Sequence, residues 1–204
     1  YAEWMYIWNE LSLPESKKDG YFQMVGGAGG AGSELDTMYV PLEFWFCRNI
    51  GLALPLIGLQ YHEVKININF QNSSKCITSG STPGSLSASL WVDYIYLDTD
   101  ERRKFAQLSH EYLIEQLQFS GQEEYKTQLR LNFNHPVKEL VWVKNSSPGW
   151  EWKDFSLSNE NPFTTAHLKL NGNDRFAKRE GKYFDVVQPY QHHSNVSKER
   201  GINI

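Results

Sequence analysis

The sequence predicts an all-β protein of the β-sandwich or jelly-roll type, for three reasons. Aromatic residues make up 14% of the 204-residue chain, and aromatic side chains favour pleated, half-buried surfaces. Residues 64–70 (VKININF) and 129–134 (LRLNFN) alternate strictly between apolar and polar side chains, which is the period of a strand with one buried face. Short apolar runs between loops rich in Gly, Pro, Ser and Asn are typical of proteins built from many short strands. These runs lie at residues 40–46, 52–59, 90–97 and 140–143.

A short helix is predicted near the start of the chain, because four apolar residues recur at helical spacing. They are Trp4, Ile7, Trp8 and Leu11. Leu13 stands before Pro14, and since a residue before proline is pushed out of the helical region, the helix is expected to end there. Further along, the glycine-rich residues 25–32 (VGGAGGAG) predict a flexible loop.

A second helix is predicted directly after residues 90–97. Asp98 can accept a hydrogen bond from a backbone N–H of the first turn, and Glu101 can return one, as in a capping box. The helix should therefore include residues 102–107. Its basic run, Arg102-Arg103-Lys104, is expected to be a solvated helix face rather than a nucleic-acid patch.

Strand-like patterns resume after this helix, at residues 113–114, 117–119 and 167–170. Asn171-Gly172 follows the last of them, and this pair is a strong hairpin-turn signal. Residues 71–89 and 150–165 are polar and rich in turn residues, and we expect them to form long loops.

Charge and hydropathy argue against two classes of partner. The net charge is −4 and the pI about 5.9, and without a block of Lys and Arg there is no electrostatic case for direct nucleic-acid binding. The longest apolar run, residues 51–59, is interrupted by Pro55 and is too short to cross a bilayer.

No residue pattern predicts catalysis or a cofactor. Residues 27–32 satisfy G-x-G-x-x-G, but the sequence lacks the acidic residue about 20 positions further on that a dinucleotide site uses for the ribose. There is no G-x-S-x-G nucleophile elbow. Asp98 and Glu101 are better explained as capping groups than as the carboxylate pair of a glycosidase. We therefore expect no catalytic residue, no cofactor and no enzymatic activity.

Metal and disulfide chemistry also lack a pattern. The only adjacent histidines, His192 and His193, would point apart on a strand, and neither an H-E-x-x-H motif nor a Cys/His cluster is present. Cys47 and Cys76 are too few for a disulfide scaffold. We expect no metal site and two reduced thiols, as in a cytoplasmic setting.

Aromatic residues near predicted loops leave one alternative function open, that of a carbohydrate-binding β-sandwich. Trp142, Trp150 and Trp152 could stack on sugars, but the same side chains could fill a core or a contact between subunits. Three N-x-S/T sequons are no more than chance gives in so polar a sequence. They begin at Asn72, Asn145 and Asn195.

Four longer stretches carry rare residue combinations, and the aromatic residues 4–13 precede them. The stretches are residues 40–67 (VPLEFWFCRNIGLALPLIGLQYHEVKIN), 91–121 (WVDYIYLDTDERRKFAQLSHEYLIEQLQFSG), 129–142 (LRLNFNHPVKELVW) and 168–191 (LKLNGNDRFAKREGKYFDVVQPYQ). In this order they resemble the major capsid proteins of nucleocytoplasmic large DNA viruses, above all those of the algal and chlorella viruses and also those of iridoviruses.

The resemblance implies a double jelly roll, which is two consecutive eight-stranded β-sandwiches in one polypeptide. Only the later part of the first roll and the opening part of the second would be present. Residues 1–108 would close the first roll, residues 109–116 would connect the two, and residues 117–204 would open the second. The chain begins at Tyr1 rather than Met and stops at what reads as the start of a strand, so we expect a piece of a longer polypeptide.

The resemblance also implies a function, and it would make the carbohydrate-binding alternative a viral surface lectin. Such a protein is a late, structural subunit of an icosahedral virion, assembled in the host cytoplasm as homotrimeric, pseudo-hexagonal capsomers. Its implied partners are other copies of itself, neighbouring capsomers, and minor capsid and penton proteins. An internal viral membrane would lie nearby without a transmembrane segment in this chain, and glycans are possible attachments.

The residues expected to carry this role are structural, not catalytic. A segment that should be buried in the first roll begins with Leu52, Ala53, Leu54 and Pro55, and the best strand of that roll follows Tyr61, His62 and Glu63. The junction between the rolls includes Tyr112, Leu113 and Ile114. The second roll opens with Asn132, Phe133, Asn134, His135 and Pro136. Because half of each roll would leave apolar faces uncovered, the isolated chain should be poorly soluble.

Overall fold

The structure is a computed structural model of the chain, and it describes residues 2–26, 37–72, 84–124, 126–144, 155–156, 158–198 and 200–204. The backbone groups into two compact units. The first unit combines Tyr1–Pro41 with Gln118–Ile204, and the second is Leu42–Leu117. The expected division into two rolls and a connection stays a prediction.

Two helices open the first unit. Helix α1 spans Ala2–Ser12, and it ends before Pro14 as the sequence predicts. Helix α2 spans Glu15–Val25, and Gly26 ends it in the left-handed conformation (φ 85°), with its N–H donating to the Phe22 carbonyl. The sequence did not predict α2, because this polar helix has no apolar stripe and buries no residue.

The helices and paired strands described in the second half of the first unit are four very short strands and two short helical segments. Strand β1 (Thr165–Ala166) pairs antiparallel with β4 (Arg179–Glu180), and β2 (Lys169–Leu170) pairs antiparallel with β3 (Asn173–Asp174). A π-helical turn at Tyr183–Val187 then leads into α4, Gln188–His192.

The hairpin turn predicted at Asn171-Gly172 is confirmed. It connects β2 to β3, and both residues have positive φ, 51° and 82°. Two consecutive positive φ angles give the turn the twist that neighbouring strands need, which is why Asn-Gly is favoured there.

The core of the first unit joins α1 to residues far along the chain. Ile7 and Leu11 pack with Phe155 and Ile202, and all four are buried. Half-buried residues surround this core cluster: Trp4, Tyr6, Val141, Val143 and Ile204. The helical spacing seen in the sequence therefore identifies the face of α1 that is buried.

The second unit contains one α-helix and two 3-10 turns within its described residues. The turns lie at Trp45–Cys47 and Ile50–Leu52, and helix α3 spans Thr99–Gln107. The predicted helix start is confirmed, because the Asp98 carboxylate accepts from the Glu101 N–H at 2.8 Å. The basic run lies on this helix and is exposed, as expected.

The strands predicted in the second unit are not formed, which corrects the sequence interpretation. No paired strand occurs among the described parts of residues 40–46, 52–59, 64–70 and 90–97; residues 45–47 and 50–52 are helical turns instead. The expected burial is also wrong, because no described residue of Leu42–Leu117 is buried. A strand is defined by backbone bonds to a neighbour, and the described residues offer these segments none.

Further predicted strands need a similar correction. Residues 113–114, 117–119 and 129–134 carry no paired strand. Residues 140–143 and the end of the chain contribute one antiparallel bridge, between Trp142 and Asn203. In place of a ladder, the Gln118 side-chain amide donates to the Asn134 carbonyl and accepts from its N–H, both at 3.0 Å.

Several predictions fall on residues outside the described ranges. They include the G-x-G-x-x-G stretch at residues 27–32, the thiol of Cys76, residues 73–83 of the loop at 71–89, residues 150–154 and 157 of the loop at 150–165, the sequon at Asn145, and the side chains of Trp150 and Trp152. None of the helices in the described ranges has the length and apolar character to span a bilayer.

Candidate functional site

The most unusual surface of the second unit consists of residues 64–70 and 90–97, here called the uncovered segments. In residues 64–70 the apolar side chains alternate with Lys65, Asn67 and Asn69, yet all of them are exposed. Phe70, for example, is 62% exposed. Isolated exposed apolar residues are common on proteins, but a contiguous row of them marks a contact surface.

Residues 90–97 are apolar on both faces. Trp91 (85% exposed) and Ile95 share one face with Asp93, whereas Tyr94 and Tyr96 (92% exposed) share the other. A segment that is apolar on both faces needs cover on both sides, unlike residues 64–70, which need it on one. The uncovered segments can therefore act as contact surfaces, and they carry no group arrangement for catalysis.

Two groups of residues singled out from the sequence are brought together in the second unit. The Tyr112 hydroxyl donates to the Ala53 carbonyl at 3.4 Å, and the Tyr112 ring packs edge-on against Trp45. An ion pair between Arg48 and Glu115 holds the same two stretches of chain together. The segment is half-buried at Leu52, Ala53, Leu54 and Pro55, so the expectation of full burial is wrong in this structure.

The other singled-out residues are not gathered into one place. Tyr61, His62 and Glu63 are exposed, as are Leu113 and Ile114. Phe133 is half-buried, whereas its neighbours Asn132, Asn134, His135 and Pro136 are exposed, and His135 has a φ of 70°.

A buried amide network stabilises the end of the first unit, and no pattern in the sequence predicted it. Asn203 is fully buried; its side chain accepts from the Asn161 amide at 2.6 Å and donates to the Gly201 carbonyl at 2.8 Å. Asn161 also donates to the Gly181 carbonyl at 3.0 Å. Buried amides require such partners because an unsatisfied polar group is costly.

Helices α1 and α2, here called the helical arm, contact residues 194–198, here called the docking loop. Glu10 of α1 is buried, and its carboxylate accepts from Lys18 of α2 and from Ser197 of the docking loop, both at 2.8 Å. Asn195 donates through its backbone N–H to the Leu11 carbonyl at 3.1 Å and through its side chain to the Glu10 carbonyl at 2.7 Å.

Two exposed charges add to this contact. Lys198 of the docking loop pairs with Glu15 of α2. The pKa of Glu15 is lowered, first by the hydrogen bond from Lys198, and the pKa of Lys198 is raised by the same bond. The Asn195 sequon is therefore engaged in this contact, because its amide nitrogen and its Ser197 hydroxyl both donate to the helical arm.

Other titratable groups form pairs that are structural in character. His193 Nε2 lies 2.6 Å from Glu139 Oε1, and Trp8 packs edge-on against the imidazole. Asp185 is buried beside Arg200, with guanidinium nitrogens 3.1 Å from both carboxylate oxygens. Within the described ranges, no three His, Cys, Asp or Glu side chains converge as a metal site would require.

The tryptophan considered for sugar binding is already used within the chain. Trp142 is half-buried, packs edge-on against Phe184 and forms the backbone bridge to Asn203. An aromatic platform for a sugar needs an accessible ring face, so Trp142 gives the lectin alternative no support.

Comparison with known proteins places the whole chain within one group. The family model described as "Large eukaryotic DNA virus major capsid protein" matches residues 101–204, and the model described as "Major capsid protein N-terminus" matches residues 1–98.

Curated relatives agree with the family models. The major capsid protein of Pyramimonas orientalis virus is 54% identical over 96% of this chain and 50% of its own length. That of Paramecium bursaria Chlorella virus 1 is 37% identical over 94% of this chain and 53% of its own length. The chain thus spans about half the length of these two curated relatives.

Solved structures give the same result. A chain of the quasi-atomic model of the PBCV-1 virus capsid matches with a TM-score of 0.69 and 35% identity, over 100% of this chain and 59% of that chain. At this identity the match reports family as well as fold.

Proposed function

Because this chain belongs to the family of major capsid proteins of large eukaryotic DNA viruses, we propose that it works as part of a structural subunit of an icosahedral viral capsid. Its relatives are structural proteins and not enzymes. One observation supports the proposal within the chain itself: the uncovered segments present apolar side chains that only another packed surface can remove from water.

The proposed architecture is a double jelly roll. Residues 1–108 would belong to the first roll and residues 117–204 to the second, with residues 109–116 between them. The one-sided apolar pattern of residues 64–70 suits a strand with one face on a sandwich core and the other in solvent. The two-sided pattern of residues 90–97 suits a strand with both faces covered.

The proposed assembly is a homotrimeric, pseudo-hexagonal capsomer that contacts neighbouring capsomers, with minor capsid and penton proteins between them. A shell subunit needs rigid sheets and broad complementary surfaces rather than reactive groups. Specific interfaces bury on the order of 1,200–2,000 Å² or more and are enriched in aromatic residues. Exposed rings such as Trp91 and Tyr96 fit that composition.

The test is to express the gene product that carries this chain and to measure its mass by mass photometry. We expect a trimer, and we expect proteomics of purified virions to find the protein as the dominant component. Purified particles that lack it would overturn the capsid proposal, and a stable monomer at micromolar concentration would overturn the trimer.

A further inference from the structure

The helical arm is held in place mainly by polar contacts. In the described structure its apolar contribution to the core cluster comes from α1, through Ile7 and Leu11, whereas α2 buries no residue at all. The arm meets the docking loop instead through hydrogen bonds and ion pairs. Such a contact can break and re-form as a unit, because few side chains have to repack when it opens.

Glu10 is the central group of this contact. It is the one carboxylate that connects the two helices of the arm to the docking loop, through Lys18 on α2 and Ser197 on the loop. Its side chain is only 10% exposed and that of Lys18 only 12%. A buried carboxylate is costly without its partners, so Glu10 favours the closed position of both helices together.

We propose that the helical arm is a strap that opens and closes over the apolar end of the first unit, with Glu10 as its clip. In the closed position, α1 covers Ile202 and Phe155. In the open position these two side chains are uncovered, and the adjacent Trp142–Asn203 bridge becomes an accessible edge. The strap thus controls whether this apolar end is available to another surface.

Hydrogen exchange followed by mass spectrometry on the gene product that carries this chain tests the strap, because exchange is read peptide by peptide in any assembly state. The Glu10→Gln variant keeps the shape of the side chain but removes its charge. We expect exchange to be roughly 10- to 100-fold faster, the range for lost charge-assisted hydrogen bonds, both in Ala2–Ser12 and in residues 200–204.

The matched control is Glu3→Gln on the exposed side of the same helix, which should leave exchange in both regions unchanged. Acceleration in α1 without acceleration in residues 200–204 would overturn the proposal, because the arm would then fray without uncovering anything. Unchanged exchange in Glu10→Gln would overturn it as well.

A locked variant covers the case in which Glu10→Gln fails to fold. The Ser194 hydroxyl donates to the Ser12 carbonyl at 2.6 Å, so a Ser12→Cys, Ser194→Cys pair in a background lacking Cys47 and Cys76 places a disulfide across the contact. We expect oxidation of this pair to slow exchange in residues 200–204 at least tenfold relative to the reduced form. Equal exchange in the two forms would show that the arm does not open.

The strap does not depend on the capsid role, since every contact it uses lies within the first unit. Trimers with no exchange difference would therefore overturn the strap alone, and an opening strap in a monomeric protein would overturn the trimer alone.

Discussion

At the scale of single residues, the closest packing of the first unit depends on glycines. Gly201 has a φ of 96°, and a Cβ there would collide with the Phe155 carbonyl oxygen. We expect Gly201→Ala to destabilise the first unit by at least roughly 1–3 kcal/mol, the usual cost of a left-handed non-glycine residue. The measurement is the shift of the urea midpoint of the gene product. Gly20→Ala in α2 is the control, because its Cβ meets open space and alanine favours a helix by about 0.5–1 kcal/mol.

Asn203 is the second residue whose contribution can be measured alone. Replacing it with Ala removes the partner of the Asn161 amide and of the Gly201 carbonyl in a fully buried place. Since an unsatisfied buried polar group costs about 1–3 kcal/mol, we expect a loss of that size in urea unfolding. Gln191→Ala on the exposed end of α4 should change stability by less than about 0.5 kcal/mol. Equal effects of the two variants would contradict this assignment.

At the scale of elements, α3 depends on a local cap. Asp98→Ala removes the acceptor of the Glu101 N–H, and the loss of such a cap costs about 1 kcal/mol. Exchange in Thr99–Gln107 should therefore become several-fold faster. Asp98→Asn keeps an acceptor oxygen and should behave like the parent protein. If Asn and Ala accelerate exchange equally, the helix start is not held by this side chain.

The contact between the helical arm and the docking loop should depend on pH at its exposed ion pair. The folded protein holds the pKa of Glu15 below its ordinary value of 4.5 and the pKa of Lys198 above its ordinary value of 10.5, each through their mutual hydrogen bond. The pair therefore stabilises this contact between these values. Its contribution is lost as pH falls below 4.5 through the lowered pKa of Glu15, and as pH rises above 10.5 through the raised pKa of Lys198. Limited proteolysis of α2 across this range should show protection that weakens at the acid end. Glu15→Gln should flatten that dependence, and an unchanged profile would contradict the role of the pair.

The alternation of apolar and polar side chains in residues 64–70 gives a further prediction at this scale. Ile68 lies on the apolar face of residues 64–70 and Asn67 on the polar face. In the full-length gene product, Ile68→Lys should abolish soluble trimers, because a lysine would have to be buried without a partner. Asn67→Lys should leave assembly intact, as judged by mass photometry. If both lysine variants form soluble trimers equally well, neither face of residues 64–70 is covered in the assembly.

At the scale of the whole molecule, the described burial is concentrated in one unit. The buried apolar residues Ile7, Leu11, Phe155 and Ile202 all belong to the first unit, and none of the described residues of Leu42–Leu117 is buried. We therefore expect the 204-residue chain alone to bind a hydrophobic dye strongly and to aggregate, whereas the full-length product should not. A monomeric chain with one cooperative thermal transition in isolation would contradict this expectation.

Features that depend on neighbours along the chain were predictable from the sequence. The helical face of α1, the end of that helix before Pro14, the Asp98 cap and the Asn171-Gly172 turn each involve residues at most a few positions apart. The family could also be predicted from the sequence, because the residue combinations in its four longer stretches resemble those of relatives whose role is known.

Features that depend on distant partners were decided only in three dimensions. The alternation in residues 64–70 determined which side chains share a face, but it could not supply the neighbouring backbone that a strand requires. The contact of Glu10 with Ser197 joins residues 187 positions apart, and the amide network joins Asn161 to Asn203. Local patterns determine local conformation, whereas strand pairing, burial and the contact of the helical arm with the docking loop depend on which distant surfaces meet.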